Sequence, residues 1–320
     1  MKIVIPGGSG QVGHVLARHF SLQGHDVTIL SRNLPAQSTD WKTIQWDGST
    51  DGDWRDTLED ADVCINLSGR SVNCRYDAAN RKAILDSRVD STRILGTVIA
   101  SLAHPPAVWL NASTATIYRH EMEQPNDELT GILGGNEPGA PDTWNFSIDV
   151  ARAWENAFYE TATPRTRKVA LRSAMTFSPD AGGVFDVFLS LVRRGLGGTV
   201  GPGTQYVSWI HDADTIRAIE FLIADTELNG PVNLASPNPL PNRDFQRILR
   251  EAWGTRLGLP TAAWMVEIGT FLMRTESELV LKSRCVVPTR LQQAGFSFAF
   301  PDWTAAARDL VARWRAEHKG

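Results

Sequence analysis

The chain is expected to be an α/β protein, a Rossmann-type doubly wound parallel sheet with a smaller, mostly helical C-terminal substrate lobe. Three observations predict it. A buried-strand run, Lys2-Ile3-Val4-Ile5-Pro6, leads directly into the turn Gly7-Gly8-Ser9-Gly10-Gln11-Val12-Gly13 and a helix over Val12 to Leu22. A second strand, Asp26 to Leu30, follows at βαβ spacing. Strand-like and helical runs then alternate, the pattern of a parallel sheet covered on both faces.

The glycines of the first turn each have a physical task. A side chain would block the turn itself, the approach of backbone to a pyrophosphate, or the packing of helix on strand. The helix N-terminus faces the phosphates with free N–H groups and a favourable dipole. Gly7, Gly10, Gln11, Val12 and Gly13 are therefore assigned to a dinucleotide. Which dinucleotide is decided at the end of the second strand, where NAD-preferring folds place Asp or Glu. Here the residues are Ser31 and Arg32. A hydroxyl and a planar guanidinium suit a 2′-phosphate, so NADP(H) is the expected cofactor. The alternative is that Arg32 is an ordinary solvated loop charge.

Further strands are expected at Thr43 to Trp46, Asp62 to Leu67, Ala107 to Ala112, Val169 to Arg172 and Val232 to Ala235. Helices are expected at Ala78 to Ala103, Asn145 to Thr161 and Asp212 to Ile223. From Phe185 the alternation weakens into helical stretches: Phe185 to Arg194, Asn242 to Trp253, Ala262 to Arg274 and Trp303 to Glu317. This divides the chain into a dinucleotide-binding domain over 1–180, completed by about 208–236, and a smaller lobe from 181–207 and 237–320. Glu121 to Asp142, rich in Gly, Pro and acidic residues, reads as a mobile loop beside the site.

Composition narrows the function by exclusion. With 320 residues and 42% hydrophobic content the chain can bury a large core. A net charge of −4 leaves no electrostatic footprint for nucleic acid. No apolar run is long enough to cross a bilayer, and Met1 leads almost at once into the first strand, without room for a signal peptide. Cys64, Cys74 and Cys285 read as reduced thiols in a cytoplasmic protein. No Cys/His spacing suggests a metal site. The expected partner is a small-molecule substrate, with a homodimer left open.

Beyond the glycine turn, several stretches carry a family resemblance. They are Asn66-Leu67-Ser68-Gly69, Ser87-Arg88, Ser91-Thr92-Arg93, Ser113 to Tyr118, Trp154-Glu155, Arg193 to Gly203 and Ser208-Trp209-Ile210-His211. Gly230 to Asn233, Val287 to Leu291 and Ala294-Gly295-Phe296 complete the set. In order and spacing the chain resembles the extended short-chain dehydrogenase/reductase superfamily, the NAD(P)-dependent epimerases and dehydratases, and within it the group called "epimerase family protein". The resemblance implies that Leu67, Ser68 and Gly69 lie along the cofactor and makes Arg88 a further cofactor contact, or else a surface helix charge. It also implies that Leu196, Tyr206 and Trp209 reach the cleft between lobes.

Ordinary members of the superfamily transfer a proton with a Ser/Thr and a Tyr-x-x-x-Lys pair, in which the lysine tunes the tyrosine. Thr114 matches the Ser/Thr. The pair is absent: the corresponding helix reads Asn145-Phe146-Ser147-Ile148-Asp149-Val150-Ala151-Arg152, and none of Tyr76, Tyr118, Tyr159 and Tyr206 has a lysine four residues on. Thr114, with Tyr118 beside it, is the candidate catalytic residue. Arg70 and Arg119 depart from the subgroup's pattern and would favour an anionic ligand, unless each simply reaches solvent. His211 reads as a structural histidine. Trp41, Trp46 and Trp54 suit core packing, with an adenine wall as the alternative, and the acidic cluster from Asp51 to Asp60 suits a solvated face. Two function classes stay open: an NADP(H)-dependent reductase, epimerase or dehydratase acting on a small, anionic or sugar-like substrate, and a non-catalytic NADP(H)-binding redox sensor.

Overall fold

The computed structural model describes residues 1–135, 137–260 and 278–318. Alternation of side chains along the first strand, β1 (Lys2–Pro6), already defines a two-faced sheet. Ile3 and Ile5 enter one buried cluster with Leu16, Phe20, Ile219 and Leu222, while Val4 enters another with Trp109, Leu95, Ile99 and Phe158. A strand buried on both faces needs helices on both sides.

The sheet has seven parallel strands. In chain order they are β1, β2 (Asp26–Ser31), β3 (Lys42–Gln45), β4 (Val63–Asn66), β5 (Val108–Thr114), β6 (Arg167–Ser173) and, after three short strands, β10 (Gly230–Leu234). Their spatial order is β10-β6-β5-β4-β1-β2-β3, in parallel register throughout. The order reverses between β1 and β4, and ligands of such sheets bind in the crevice at that switch point. Helix α1 (Gln11–Leu22) and α5 (Asp212–Ala224) cover one face; α2 (Ala78–Ser101) and α3 (Asp142–Glu160) cover the other. Asp77 caps α2 by accepting from the Asn80 amide at 2.7 Å.

A second core lies beside the sheet. Strand β7 (Met175–Phe177) pairs with β9 (Trp209–His211), and β8 (Tyr206–Val207) pairs with β11 (Leu240–Pro241). Around Phe177 gather Phe185 and Phe188 of α4 (Val184–Arg193), Phe245 of α6 (Asn242–Trp253), Trp209, and Trp303 of the C-terminal helix Trp303–Glu317. Phe245 and Trp303 stack at 4.2 Å. This second core is built largely from tryptophan and phenylalanine.

The expected strands and helices all appear within a few residues, apart from Ala262 to Arg274, which lies outside the described residues. The four short strands β7, β8, β9 and β11 were not foreseen, because two or three residues are too few to show a period. Two points of the expected loop are anchored: Asn126 is buried and bridges to Val286, and Leu133 bridges to Tyr118.

One buried ion pair knits the sheet's end together. Arg172 of β6 donates from Nε and Nη2 to the two oxygens of Glu155 on α3, each at 2.8 Å, and both residues are under a tenth exposed. Removing one partner of such a pair strands a buried charge, at a cost of about 3–5 kcal/mol. Glu155→Ala should lower unfolding stability by that amount in a denaturant titration, and Glu155→Leu with Arg172→Met should lose clearly less. A loss below about 1 kcal/mol for the single variant would contradict this account.

Candidate functional site

The glycine turn sits at the switch point with the spatial constraints its sequence implies. Gly7 has φ +71°, and a Cβ there would lie 2.5 Å from the Ser68 backbone, so the first turn and the turn after β4 are in direct contact. A Cβ at Gly13 would come within 2.2 Å of the Gly8 carbonyl. Gly10 differs: it is the N-cap of α1 without a side-chain cap, its φ of −85° suits any residue, and a Cβ there would meet nothing within 4 Å. The space left open is at the end of a helix whose first N–H groups are unmatched, which is what a pyrophosphate requires. The buried Ser68 hydroxyl, next to this point, has no partner among the described residues. The residues present fit a dinucleotide.

A hydrogen-bonded chain fixes the second turn. Asn66 accepts from the Ser68 amide at 3.0 Å and donates to Asn111 at 2.7 Å, while Thr92 receives the Trp154 indole N–H at 3.0 Å. Leu67 lines a cavity of about 500 Å³ that starts at Gln11 and Val12 and runs past the C-terminal ends of β5 and β6. Gln11 also donates to the Asp180 carbonyl at 2.6 Å, so the segment before α4 crosses close to the cradle.

Beyond the end of β2, a shallower cleft of about 710 Å³ is lined by Arg32, Gln45, Trp46, Trp54 and three aspartates, Asp47, Asp51 and Asp53. Ser31 is buried and its hydroxyl accepts from the Asn33 amide at 3.3 Å. The Arg32 side chain is exposed and forms no ion pair among the described residues. Trp46 and Trp54 are buried core residues, 5.1 Å apart, that also border this cleft; Trp41 packs near His14 at 5.7 Å and does not line it. Of the acidic cluster, Asp51 pairs with Arg55 and Glu59 with His104, as a solvated face would.

At the other end the cavity wall includes Thr114, Ser113, Thr116, Tyr76, Arg88, Phe146, Ser147, Val150, Trp154, Glu278 and Arg284. Thr114 Oγ1 accepts from the Thr116 amide at 3.1 Å, which holds its side chain at the strand end. Arg88 is half-buried over the Trp154 ring, donates to the Ile84 carbonyl at 3.0 Å, and has no carboxylate partner among the described residues. Burial pushes its guanidinium down to about 10, the mark of a cation missing its counter-ion. A Cβ at Gly69 would press on this guanidinium at 3.2 Å. Phe146, Ser147 and Val150 line the cavity from α3, the helix that would carry the Tyr-x-x-x-Lys pair.

Several candidates lie elsewhere. Tyr118 is 2% exposed and does not line the cavity: its hydroxyl donates to Asn233 at 3.0 Å and accepts from Arg172 at 2.9 Å. Trp209 is fully buried in the second core, because β9 lies parallel to β7 and turns its side chain toward Trp303. Tyr206 and Leu196 also stay off the cavity; Tyr206 offers its backbone to Ser283 and Arg284, and Leu196 is exposed. Arg70 is exposed and donates to Asn80 at 2.7 Å, and Arg119 pairs with Glu121. His211 caps α5, accepts from the Ala213 amide at 3.1 Å and stacks on Phe300, and burial holds its imidazole below its ordinary pKa. The sequence reading missed Tyr76, Ser147, Glu278 and Arg284. Nothing in the spacing of residues so far apart could have joined them.

Residues 3–235 match the model described as the NAD dependent epimerase/dehydratase family, and residues 261–310 match a domain of unknown function, DUF1731. The chain is 30% identical over 314 residues to epimerase family protein SH2119 of Staphylococcus haemolyticus, covering 97% of this chain and 99% of that protein. It is 27% identical over 316 residues to epimerase family protein SDR39U1 of Bos taurus, covering 98% and 100%. Among solved structures, human SDR39U1 with NADPH superposes with a TM-score of 0.84 at 26% identity, covering 98% of this chain and 99% of that one.

The open space at Gly10 gives a direct test of the cradle. Gly10→Ala should leave stability within about 1 kcal/mol, since the fold has room for the methyl group. Affinity for a nicotinamide dinucleotide, followed by fluorescence titration, should nonetheless fall about tenfold or more. Unchanged affinity would place the pyrophosphate elsewhere.

Proposed function

Because the chain belongs to the NAD-dependent epimerase/dehydratase family, we propose that it is an NADP(H)-dependent oxidoreductase or epimerase/dehydratase-type enzyme acting on a small, anionic or sugar-like substrate. The observation that carries this reading is the cavity itself. It begins at the glycine cradle, continues past Thr114, and carries two guanidiniums, those of Arg88 and Arg284, among its wall residues. A pocket that opens at the cradle and continues past Thr114 suits a nicotinamide with a small substrate beside it.

NADP(H) rather than NAD(H) is supported by Arg32, which borders the cleft beyond β2 and forms no ion pair among the described residues, and by the absence of an acidic residue at Ser31 or Arg32. The NADPH in the human relative's structure points the same way. The bound nicotinamide would supply hydride exchange. The chain's part is to hold the pyrophosphate at Gly10, the 2′-phosphate at Arg32, and a substrate oxygen at Thr114. An anionic group is favoured because Arg88 brings to this wall a positive charge with no carboxylate partner among the described residues.

A second reading has one observation in its favour. Phe146 and Val150 give the cavity an apolar stretch where a proton-transferring pair is expected, which suits a redox sensor that binds NADP(H) without turning it over.

Calorimetry should show NADPH binding at least about tenfold more tightly than NADH, a difference of about 1.4 kcal/mol that one charge-assisted contact supplies. Arg32→Ala should abolish that preference. A panel of sugar nucleotides, ketones, enones and quinones with NADPH, run on the wild type and Thr114→Val, separates the two readings. Turnover lost in Thr114→Val supports the enzyme, and tight NADPH binding without any turnover supports the sensor.

A further inference from the structure

Three groups able to hold or pass a proton meet on the cavity wall, and they come from three distant parts of the chain. Tyr76 belongs to the loop before α2, Ser147 to α3, and Glu278 to the four-residue helix Glu278–Leu281. Ser147 Oγ donates to Glu278 Oε2 at 2.5 Å, and the Tyr76 phenol lies on the same wall beside that serine. Glu278 is 1% exposed and Tyr76 8% exposed. A carboxylate that deeply buried is retained only with compensation. Arg284 supplies it at 3.6 Å, with Lys282 at 4.0 Å. Arg284 is itself held to this wall by its bond to Thr116 Oγ1 at 3.2 Å. The charges felt by the Tyr76 phenol are those of Glu278, Arg284 and Arg88.

We propose that Tyr76 is the catalytic acid–base residue of this pocket, that Ser147 and Glu278 are the positioning residues that relay its proton, and that the C-terminal region serves the reaction by carrying Glu278 into that relay. The proposal rests on the enzymatic reading of the pocket. In alcohol oxidation the substrate O–H bond breaks toward Tyr76 Oη, the phenol's own proton moves to Ser147 Oγ, and the serine proton moves to a Glu278 oxygen. The substrate's C–H hydrogen leaves with its electron pair to the nicotinamide, so the carbon is oxidised and the cofactor reduced. Carbonyl reduction runs the same path backwards. The relay also spares the site an isolated phenolate, since burial pushes the Tyr76 phenol up to about 12. It places the acid against α3, the helix that lacks the usual pair: Tyr76 packs edge-on against Phe146 at 5.1 Å.

The full-length protein labelled with 3-fluorotyrosine tests the relay without needing its substrate. Its four tyrosines give four ¹⁹F resonances, and Tyr76→Phe identifies the one that matters. The Tyr76 resonance should move when NADP⁺ is added and should move again in Glu278→Gln, which keeps the side chain's shape, while the Tyr159 resonance stays in place. In the carbonyl panel with NADPH, Tyr76→Phe should lower kcat by about 10²-fold or more and leave NADPH affinity unchanged. Glu278→Gln and Ser147→Ala should displace the pH profile of kcat. Two results overturn the relay while leaving the enzymatic reading intact: turnover by Tyr76→Phe at the wild-type rate, or a Tyr76 resonance blind to both NADP⁺ and Glu278→Gln. If the wild type turns over no member of the panel, the enzymatic reading falls and takes the relay with it.

Discussion

The buried pair of Arg172 and Glu155 is the contact on which the rest of the site depends. Glu155 also accepts from Ser113 at 2.6 Å, and Arg172 holds Tyr118, which holds Asn233, which in turn donates to the Val287 carbonyl at 2.9 Å. The ends of β5, β6 and β10, the helix α3 and the C-terminal region therefore converge on two charges. Because the charges satisfy each other in bidentate geometry, they can sit behind the cavity wall without drawing water into it. The same network explains why Tyr118 is unavailable for chemistry. Both sides of its hydroxyl are already engaged.

The parts of the fold legible in the sequence are those specified locally. The glycine turn could be read because each glycine answers a contact within a few residues or across to the next strand. The sheet could be read because Ile3, Val4 and Ile5 divide between its faces. Arg32 stands out because a charge at that strand end is a local feature of the sequence, whereas Arg88 is singled out only through the family resemblance. Trp209 was misplaced for the opposite reason: a three-residue strand carries no period, and its direction is set by β7, more than thirty residues earlier. Tyr76, Ser147 and Glu278 left no trace, since only the tertiary fold joins a loop residue, a helix residue and a chain segment 131 positions further on.

The C-terminal chain is more than a cover. Asn126 bonds to Cys285 and Val287 through its backbone, at 2.7 and 3.0 Å. Ser208 accepts from the Val286 amide at 2.9 Å and donates to the Arg284 carbonyl at 2.5 Å. Residues 283–287 are thus threaded between the loop after β5 and the short strands of the second core. Arg284 reaches the cavity from this anchored run, and Glu278 from the short helix Glu278–Leu281 just before it.

That threading has a thermodynamic consequence. A ligand filling the cavity would touch the C-terminal ends of the sheet's strands and the C-terminal chain at once, so the free energy that seats 283–287 against the domain is included in its apparent affinity. Coupling of this kind is reciprocal: whatever strengthens the seating tightens the ligand, and the ligand strengthens the seating equally. A substitution at Asn126 or Ser208, neither of which lines the cavity, would therefore register as a change in binding. The backbone joint and the ligand pocket are one equilibrium, seen from two places.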